Sequence, residues 1–262
     1  MAVLLEKPEI LCSDHILCRI DAGDIVTAPG QFVNVRVGES MDPLLRRPFS
    51  VHNQEGNVIE LVIQVLGKGT RWLRDYAKPG DIDLLLPLGK GFSLPENASA
   101  LLVGGGVGNA PLYYLARALR DRGTNVTYLY GSRSLECMFL RDRYKEIADN
   151  YYEATDDGSC GEKGRITDLA EKVIGKHPFT HVFTCGPTPM MRTLTDMVKN
   201  TGIHIEVSVE NYFGCGVGLC SGCTVETVHG NRRACVDGPV FDGKEINWGS
   251  LQGSHYDEAC EA

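Results

Sequence analysis

The chain has 262 residues, 43% hydrophobic and 23% charged, with a formal net charge of −8. That length allows two or three modest domains with a sizeable core, and the acidic balance argues against a nucleic-acid partner. Residues 1–10, MAVLLEKPEI, place no basic region before an apolar run that Glu6 and Pro8 cut short, so no secretory signal is expected; no apolar stretch approaches the roughly 20 residues that span a bilayer.

Through residues 1–99, short apolar runs alternate with turn residues. Residues 16–20, 31–37, 58–65 and 82–86 read as strands, with turns at 21–24, at Pro29-Gly30, at 53–57 and at 79–81, which suggests a sandwich or barrel. One helix interrupts them, capped by Thr70 and carrying an apolar stripe of Trp72, Leu73 and Tyr76. Two clusters here could carry chemistry. In Arg46-Arg47-Pro48-Phe49-Ser50-Val51, Arg47 suits two-point pairing with a pyrophosphate, Phe49 can lie on a planar ring, and Ser50 can reach a ring nitrogen. The bland alternative is a solvated Arg-Arg-Pro turn followed by a core phenylalanine. In Gly67-Lys68-Gly69-Thr70, glycines before a helix leave N–H groups bare for a phosphate, though an ordinary loop reads the same way.

Residues 100–210 read as an α/β domain. The apolar run 100–103 meets Gly104-Gly105-Gly106-Val107-Gly108-Asn109-Ala110-Pro111, and residues 112–119 show helical periodicity. Strand, glycine turn and helix open a nucleotide-binding unit, with Gly106, Gly108, Ala110 and Pro111 in a G-x-G-x-A-P pattern. The strand at 126–130 ends in Gly131-Ser132-Arg133. No acidic residue stands where an adenosine ribose would need one, and Ser132 with Arg133 could meet a 2′-phosphate, so local chemistry leaves NAD and NADP both open. Asp156-Asp157-Gly158 reads as a solvated turn. A strand at 181–184 runs into Cys185-Gly186-Pro187 at the carboxyl edge of the expected sheet, where ligands bind. Cys185 is either a packed small hydrophobe or a neighbour of the reacting nucleotide ring. Glu210 is a weaker candidate for the same place, with a plain surface carboxylate as its alternative.

Residues 211–262 hold the densest motif. Cys215, Cys220, Cys223 and Cys235 are spaced C-x4-C-x2-C-x11-C, and residues 214–223 read GCGVGLCSGC. This is plant-type spacing for a [2Fe–2S] cluster; thiolates are soft ligands for iron, and glycines let main-chain N–H groups approach the sulfurs. Structural zinc, for which a glycine-packed C-x4-C is unusual, and disulfides are the alternatives. Ten cysteines without an export signal point to reduced thiols plus a metal site in the cytosol. Residues 224–248 read as two or three short strands framing this site, with turns at 229–231 and 242–243. The polar tail 250–262 is expected to be loosely held, with Cys260 a bystander.

Taken in order, Arg47-Pro48-Phe49-Ser50, Gly67-Lys68-Gly69-Thr70, residues 106–111 and Cys185-Gly186-Pro187 resemble the ferredoxin–NADP reductase superfamily over residues 1–210. With the cysteine loop and its close at Ala234-Cys235-Val236-Asp237-Gly238-Pro239, the whole chain resembles the family of electron-transfer subunits of dihydroorotate dehydrogenase B. The resemblance implies an α/β multidomain protein: an antiparallel FAD-binding β-barrel (residues 1–99), a parallel-sheet α/β nucleotide domain (100–210) and a small β-rich [2Fe–2S] domain (211–262). It implies FAD held by Arg47, Pro48, Phe49, Ser50, Val62, Ile63, Gln64, Gly69 and Thr70, and NAD as the nucleotide. The four cysteines would hold the cluster. The implied partner is an FMN-containing catalytic subunit in a heterotetramer of two plus two, serving pyrimidine synthesis. The chain then splits the electron pair of one hydride into single electrons through bound cofactors, with no acid–base catalysis of its own. Rival readings are the flavin–cluster subunit of a hydrogenase, a sulfite reductase or a ferredoxin oxidoreductase, and a nucleotide-sensing adaptor with a zinc knuckle.

Overall fold

The computed structural model describes residues 2–38 and 42–251; the expectations for the tail beyond residue 251 and for Cys260 lie outside the described residues. The first part of the chain is antiparallel. It runs β1 (Ala2–Leu4), β2 (Glu9–Cys12), β3 (His15–Asp21), β4 (Phe32–Val35), β5 (Arg47–Ser50), β6 (Asn53–Glu55), β7 (Val58–Gln64), helix α1 (Lys68–Tyr76), β8 (Gly80–Ile82) and β9 (Leu84–Leu88). One sheet has the order β6-β7-β3-β1-β8 with β2 also on β3, and a second has the order β5-β4-β9. Ile16, Ile20, Val33, Val35, Ile59, Leu61 and Leu73 share one buried core.

Several expectations change here. Residues 53–57 are not all turn: 53–55 form β6 and only Gly56-Asn57 turns, because the polar side chain of Asn53 is buried against Glu60 rather than solvated. The strand expected at 82–86 is two strands broken at Asp83, whose main-chain and side-chain oxygens are taken by Arg36 and Arg46. On α1 the buried positions are Gly69 and Leu73, while Tyr76 is 67% exposed, so the expected stripe does not include it.

The second part is a wound α/β layer: β10 (Ser99–Gly105), α2 (Asn109–Asp121), β11 (Asn125–Ser132), α3 (Arg141–Ile147), β12 (Asn150–Thr155), β13 (Glu162–Lys163), α4 (Ile166–Ile174), β14 (His181–Cys185), α5 (Thr188–Val198) and β15 (His204–Ser208). β10 is buried along nearly its whole length, as a strand covered on both faces must be. The last segment supplies a hairpin, β16 (Thr224–Thr227) and β17 (Gly230–Arg233), then β18 (Val240–Asp242). β18 does not stay with the hairpin: it joins the main sheet antiparallel to β15, giving the order β13-β12-β11-β10-β14-β15-β18.

A polar seam locks the two parts together. Glu60 on β7 is bridged by Arg143 of α3 at 2.7 Å and by Arg19 at 3.2 Å. Burial alone would raise the Glu60 carboxyl, but Arg143, with His52 and Asn53, holds it below its usual value. His52, fully buried, places Nδ1 2.8 Å from the Ala110 carbonyl oxygen at the start of α2 and stacks on Tyr113. No helix among the described residues is long and apolar enough to cross a membrane.

Candidate functional site

The flavin-side cluster lies on β5, which pairs with β4 in the register Val35↔Arg47, Asn34↔Pro48, Val33↔Phe49 and Phe32↔Ser50. The two arginines divide. Arg46 forks onto the Asp83 carboxylate at 2.7 and 2.8 Å, a structural pair. Among the described residues Arg47 bonds only main-chain oxygens, with Leu45 O at 2.7 Å, and meets no carboxylate. Gly69 sits directly over it: a Cβ there would stand 2.8 Å from Val37 Cγ2 and 3.5 Å from the Arg47 stem. Thr70 is not the cap that its position suggested. Gly67 is the N-cap, and the Thr70 hydroxyl reaches back one turn to accept from Leu66 N at 2.9 Å and Gly67 N at 3.1 Å. The first turn of α1, where helix N–H groups point outward, lies beside Arg47 and could meet an anion there. Val62 and Ile63 are buried, and the Gln64 amide donates to Asp14 at 2.8 Å. β6 pairs with β7 only as far as Glu60, so on that edge residues 61–64 have no strand partner. A guanidinium without a carboxylate among the described residues, a helix N-terminus, an aromatic, a hydroxyl and a strand edge together fit a flavin dinucleotide.

On the nucleotide side, β10 and β14 end together, Gly104 opposite Cys185. The Gly106–Gly108 turn then packs directly on Cys185 and Gly186: a Cβ on Gly108 would lie 2.3 Å from Cys185 O. Ala110 and Pro111 are buried in the first turn of α2. Burial, with the Glu210 charge adding, pushes the Cys185 thiol up to about 12, while Ser208 hydrogen-bonds it. The thiol therefore keeps its proton at neutral pH and is no nucleophile. Glu210 is exposed, near enough to be felt by Cys185. The Ser132 hydroxyl is used on Ser134 O at 3.1 Å. Sequence reasoning missed Asn109, which is fully buried. Its amide donates to Gly106 O at 2.9 Å and Gly131 O at 3.2 Å, and its Oδ1 accepts from Tyr128, bolting the glycine turn in place. A polar residue closing a run of glycines was the available signal.

Cys215 and Cys220 are tied to each other, the N–H of each reaching the other's sulfur at 3.4 Å. Cys223 and Cys235 are brought together by the donation of Ala234 N to Cys223 O at 2.9 Å. Main-chain N–H groups aim at the sulfurs: Val217, Leu219 and Cys220 at Cys215 Sγ (3.5, 3.2 and 3.4 Å), Cys215 and Gly222 at Cys220 Sγ (3.4 and 3.5 Å), and Gly218 at Cys235 Sγ (3.1 Å). The N–H donors of Val217 and Cys220 hold the Cys215 thiol down at about 6, whereas burial and the Cys223 thiol push Cys235 up to about 12. All nine described cysteines are free. Four sulfurs about 2.3 Å from one zinc would all lie within about 4 Å of one another. Among the described residues the only three-ligand group within 4.8 Å is Cys12, Asp14 and His15, a hydrogen-bonded cluster at the seam with none of the loop cysteines in it. No three of the loop thiols come that close together, which fits two irons better than one zinc.

The loop is laid on the flavin-side sheet. Asn34 Nδ2 donates to Cys215 O at 3.4 Å, and Phe32 packs its ring on Phe213, centroids 5.1 Å apart. Lys90 N donates to Gly238 O, and Val209 N to Pro239 O at 3.0 Å, so the close of the loop is held by both parts of the protein.

Comparison with known proteins agrees with this geometry. Residues 210–247 match the iron-sulfur cluster binding domain of dihydroorotate dehydrogenase B, and residues 102–196 match the oxidoreductase NAD-binding domain. The dihydroorotate dehydrogenase B (NAD(+)) electron transfer subunit of Desulforamulus reducens is 39% identical over 238 residues, 87% of this chain and 90% of that one. That of Geobacillus thermodenitrificans is 40% identical over 230 residues, 83% and 86% of the two chains. This chain belongs to that family. Among solved structures, the NADH-dependent reduced ferredoxin–NADP oxidoreductase superposes with a TM-score of 0.85 at 34% identity, covering 95% of this chain and 90% of that one. Phthalate dioxygenase reductase shares the fold, with a TM-score of 0.64 at 20% identity over 87% and 86% of the two chains.

Proposed function

We propose that this chain is the electron-transfer subunit of a dihydroorotate dehydrogenase B, passing electrons between an FMN-bearing catalytic partner and NAD. The observation that carries the reading is that the four-cysteine loop lies on β4, one strand from the Arg47–Ser50 motif. The segment 1–99 is taken as the antiparallel FAD-binding barrel, 100–210 as the NAD domain and 211–262 as the cluster segment.

In this reading Arg47 and the α1 N-terminus, with Gly69 and Thr70, bind the pyrophosphate. Phe49 lies along the flavin ring, Ser50 reaches a ring nitrogen, and the open edge at Val62, Ile63 and Gln64 offers main-chain groups to it. Gly106, Gly108, Ala110 and Pro111 face Cys185, Gly186 and Pro187 across the NAD site, where the neutral Cys185 thiol and nearby Glu210 border the nicotinamide. Cys215, Cys220, Cys223 and Cys235 hold the cluster. Bound FAD supplies the conversion between a hydride and the single electrons that iron takes. The chain's own residues bind, orient and exclude water; dihydroorotate binds on the partner, in an assembly of two plus two.

The test is protein isolated without oxygen, assayed for FAD, iron and acid-labile sulfide and then treated with NADH. Bound flavin, two irons per chain and bleaching by NADH support the reading, as does copurification with an FMN-bearing subunit. Colourless protein without dye-reducing activity would point to the adaptor reading, and copurification with a nickel–iron or ferredoxin-reducing subunit to the rival reductases.

A further inference from the structure

We propose that Asn34 is a positioning residue that indexes the cluster loop against the flavin-binding strand, and so governs one-electron transfer between the two cofactors; the proposal rests on the functional reading above. β4 reads Phe-Val-Asn-Val and all four residues are buried. Its pairing with β5 is regular, so side chains alternate. Val33 and Val35 enter the core of the antiparallel part, and Phe32 and Asn34 face the other way, where Phe32 meets Phe213 of the cluster segment. Asn34 is thus a lone amide in an apolar strand, 1% exposed, with Oδ1 buried and without a partner among the described residues. An unpaired buried acceptor is costly, and valine would suit the strand better, so stability does not account for the residue.

What the amide does make is the contact with the loop. Nδ2 donates to the Cys215 carbonyl, and the main chain of Gly216 lies so close that a Cβ there would come within 2.5 Å of Nδ2. Gly216 also has φ +72°, open to glycine at little cost. Cys215 is a proposed ligand, and the next residues, Val217, Gly218 and Leu219, supply N–H groups to Cys215 and Cys235. On its other side Asn34 stands opposite Pro48 of the flavin motif, at a point where the β4–β9 pairing shifts register. Such irregularities re-aim side chains beside functional sites. One amide therefore fixes the hydrogen-bonded loop relative to the strand that carries Phe49 and Ser50.

The experiment compares Asn34→Leu and Asn34→Asp with the wild-type holoprotein. Leu is close in size without a donor; Asp is isosteric and acceptor-only. A single anaerobic stopped-flow trace with NADH gives the rates of flavin and cluster reduction, and electron paramagnetic resonance of the reduced cluster reports on the N–H···S geometry. The expected result in both variants is a ratio of cluster to flavin reduction lowered by about ten-fold or more, with a shifted cluster spectrum. The Leu variant should melt no lower than wild type, which a merely structural role would not allow. Loss of iron with FAD retained also supports the proposal. A ratio within about two-fold of wild type with an unchanged spectrum overturns it, as does joint loss of FAD and iron in both variants. If wild-type protein itself carries no flavin or iron, the functional reading fails instead.

Discussion

Replacing Gly108 by Ala tests whether the two turns at the ends of β10 and β14 form one nucleotide site. The added Cβ would stand 2.3 Å from Cys185 O, 2.5 Å from its carbonyl carbon and 2.6 Å from Gly186 Cα. None of these atoms can rotate away, because Cys185 is held in register with Gly104 on one side and Ser208 on the other. Non-bonded carbons rest about 3.5 Å apart, so the turns must part by about 1 Å. Overpacking of this kind costs about 1–3 kcal/mol of stability. A displacement of about 1 Å where the nicotinamide is oriented lowers turnover by up to about 10²-fold. The assay is NADH-dependent dye reduction, with FAD content and thermal midpoint measured on the same protein. kcat/KM for NADH should fall about ten- to a hundred-fold while FAD stays bound, since Arg47 and α1 are untouched. A kcat/KM within about three-fold of wild type, in a variant shown to fold, would refute the pairing of the turns as the NAD site.

Cys220→Ala should abolish transfer to the partner while leaving NADH–dye reduction largely intact, because flavin reduction precedes the cluster; equal loss of both would contradict the order of carriers. Thr70→Val removes the hydroxyl that accepts from Leu66 N and Gly67 N, opening the phosphate turn at about 1 kcal/mol per lost bond, so flavin should be lost on dilution. Unchanged flavin content after gel filtration would speak against that role. Burial holds folded His52 at about 4 against the ordinary 6.5. Between these values the unfolded chain takes up a proton that the folded chain refuses, so stability falls as pH drops from about 6.5 to about 4, by on the order of 3 kcal/mol. Urea unfolding of His52→Gln should lack that slope; the same slope in the variant would assign it to other groups.

Local chemistry made the cysteine loop and the glycine turns legible, since each is contiguous and its spacing has a physical reason. The strand–turn–helix unit at 99–121 was legible for the same cause, an unbroken apolar run before glycines. Long-range pairing is not legible locally. Residues 47–50 carry a site motif but no strand signal, because Arg-Pro-Phe-Ser lacks the alternation typical of a strand, and β4 supplies the pairing. Asn53 has the composition of a turn residue, and only Glu60 and Arg117, distant in sequence, make it a strand residue. Thr70 has the composition of a cap, but the helix begins two residues earlier and makes it the back-reaching member of the turn. Asn34 and Asn109 had a weak signal, a polar residue among apolar ones or glycines, but nothing local says what such an amide bonds.

The placement of β18 bears on how the relay works. An appended cluster domain would be free to swing, and its distance to the flavin would vary. Here the segment after the thiols returns to the nucleotide sheet through β15, its Gly238-Pro239 link is held by Lys90 and Val209, and its loop rests on Asn34. The Glu60–Arg143 pair and the His52–Ala110 contact then hold the antiparallel part against the same helices. Every tie crosses between segments that supply different cofactor-binding residues. The fold therefore fixes the spacing of the three proposed sites before any ligand binds, and the work left to the chain is orientation within each site.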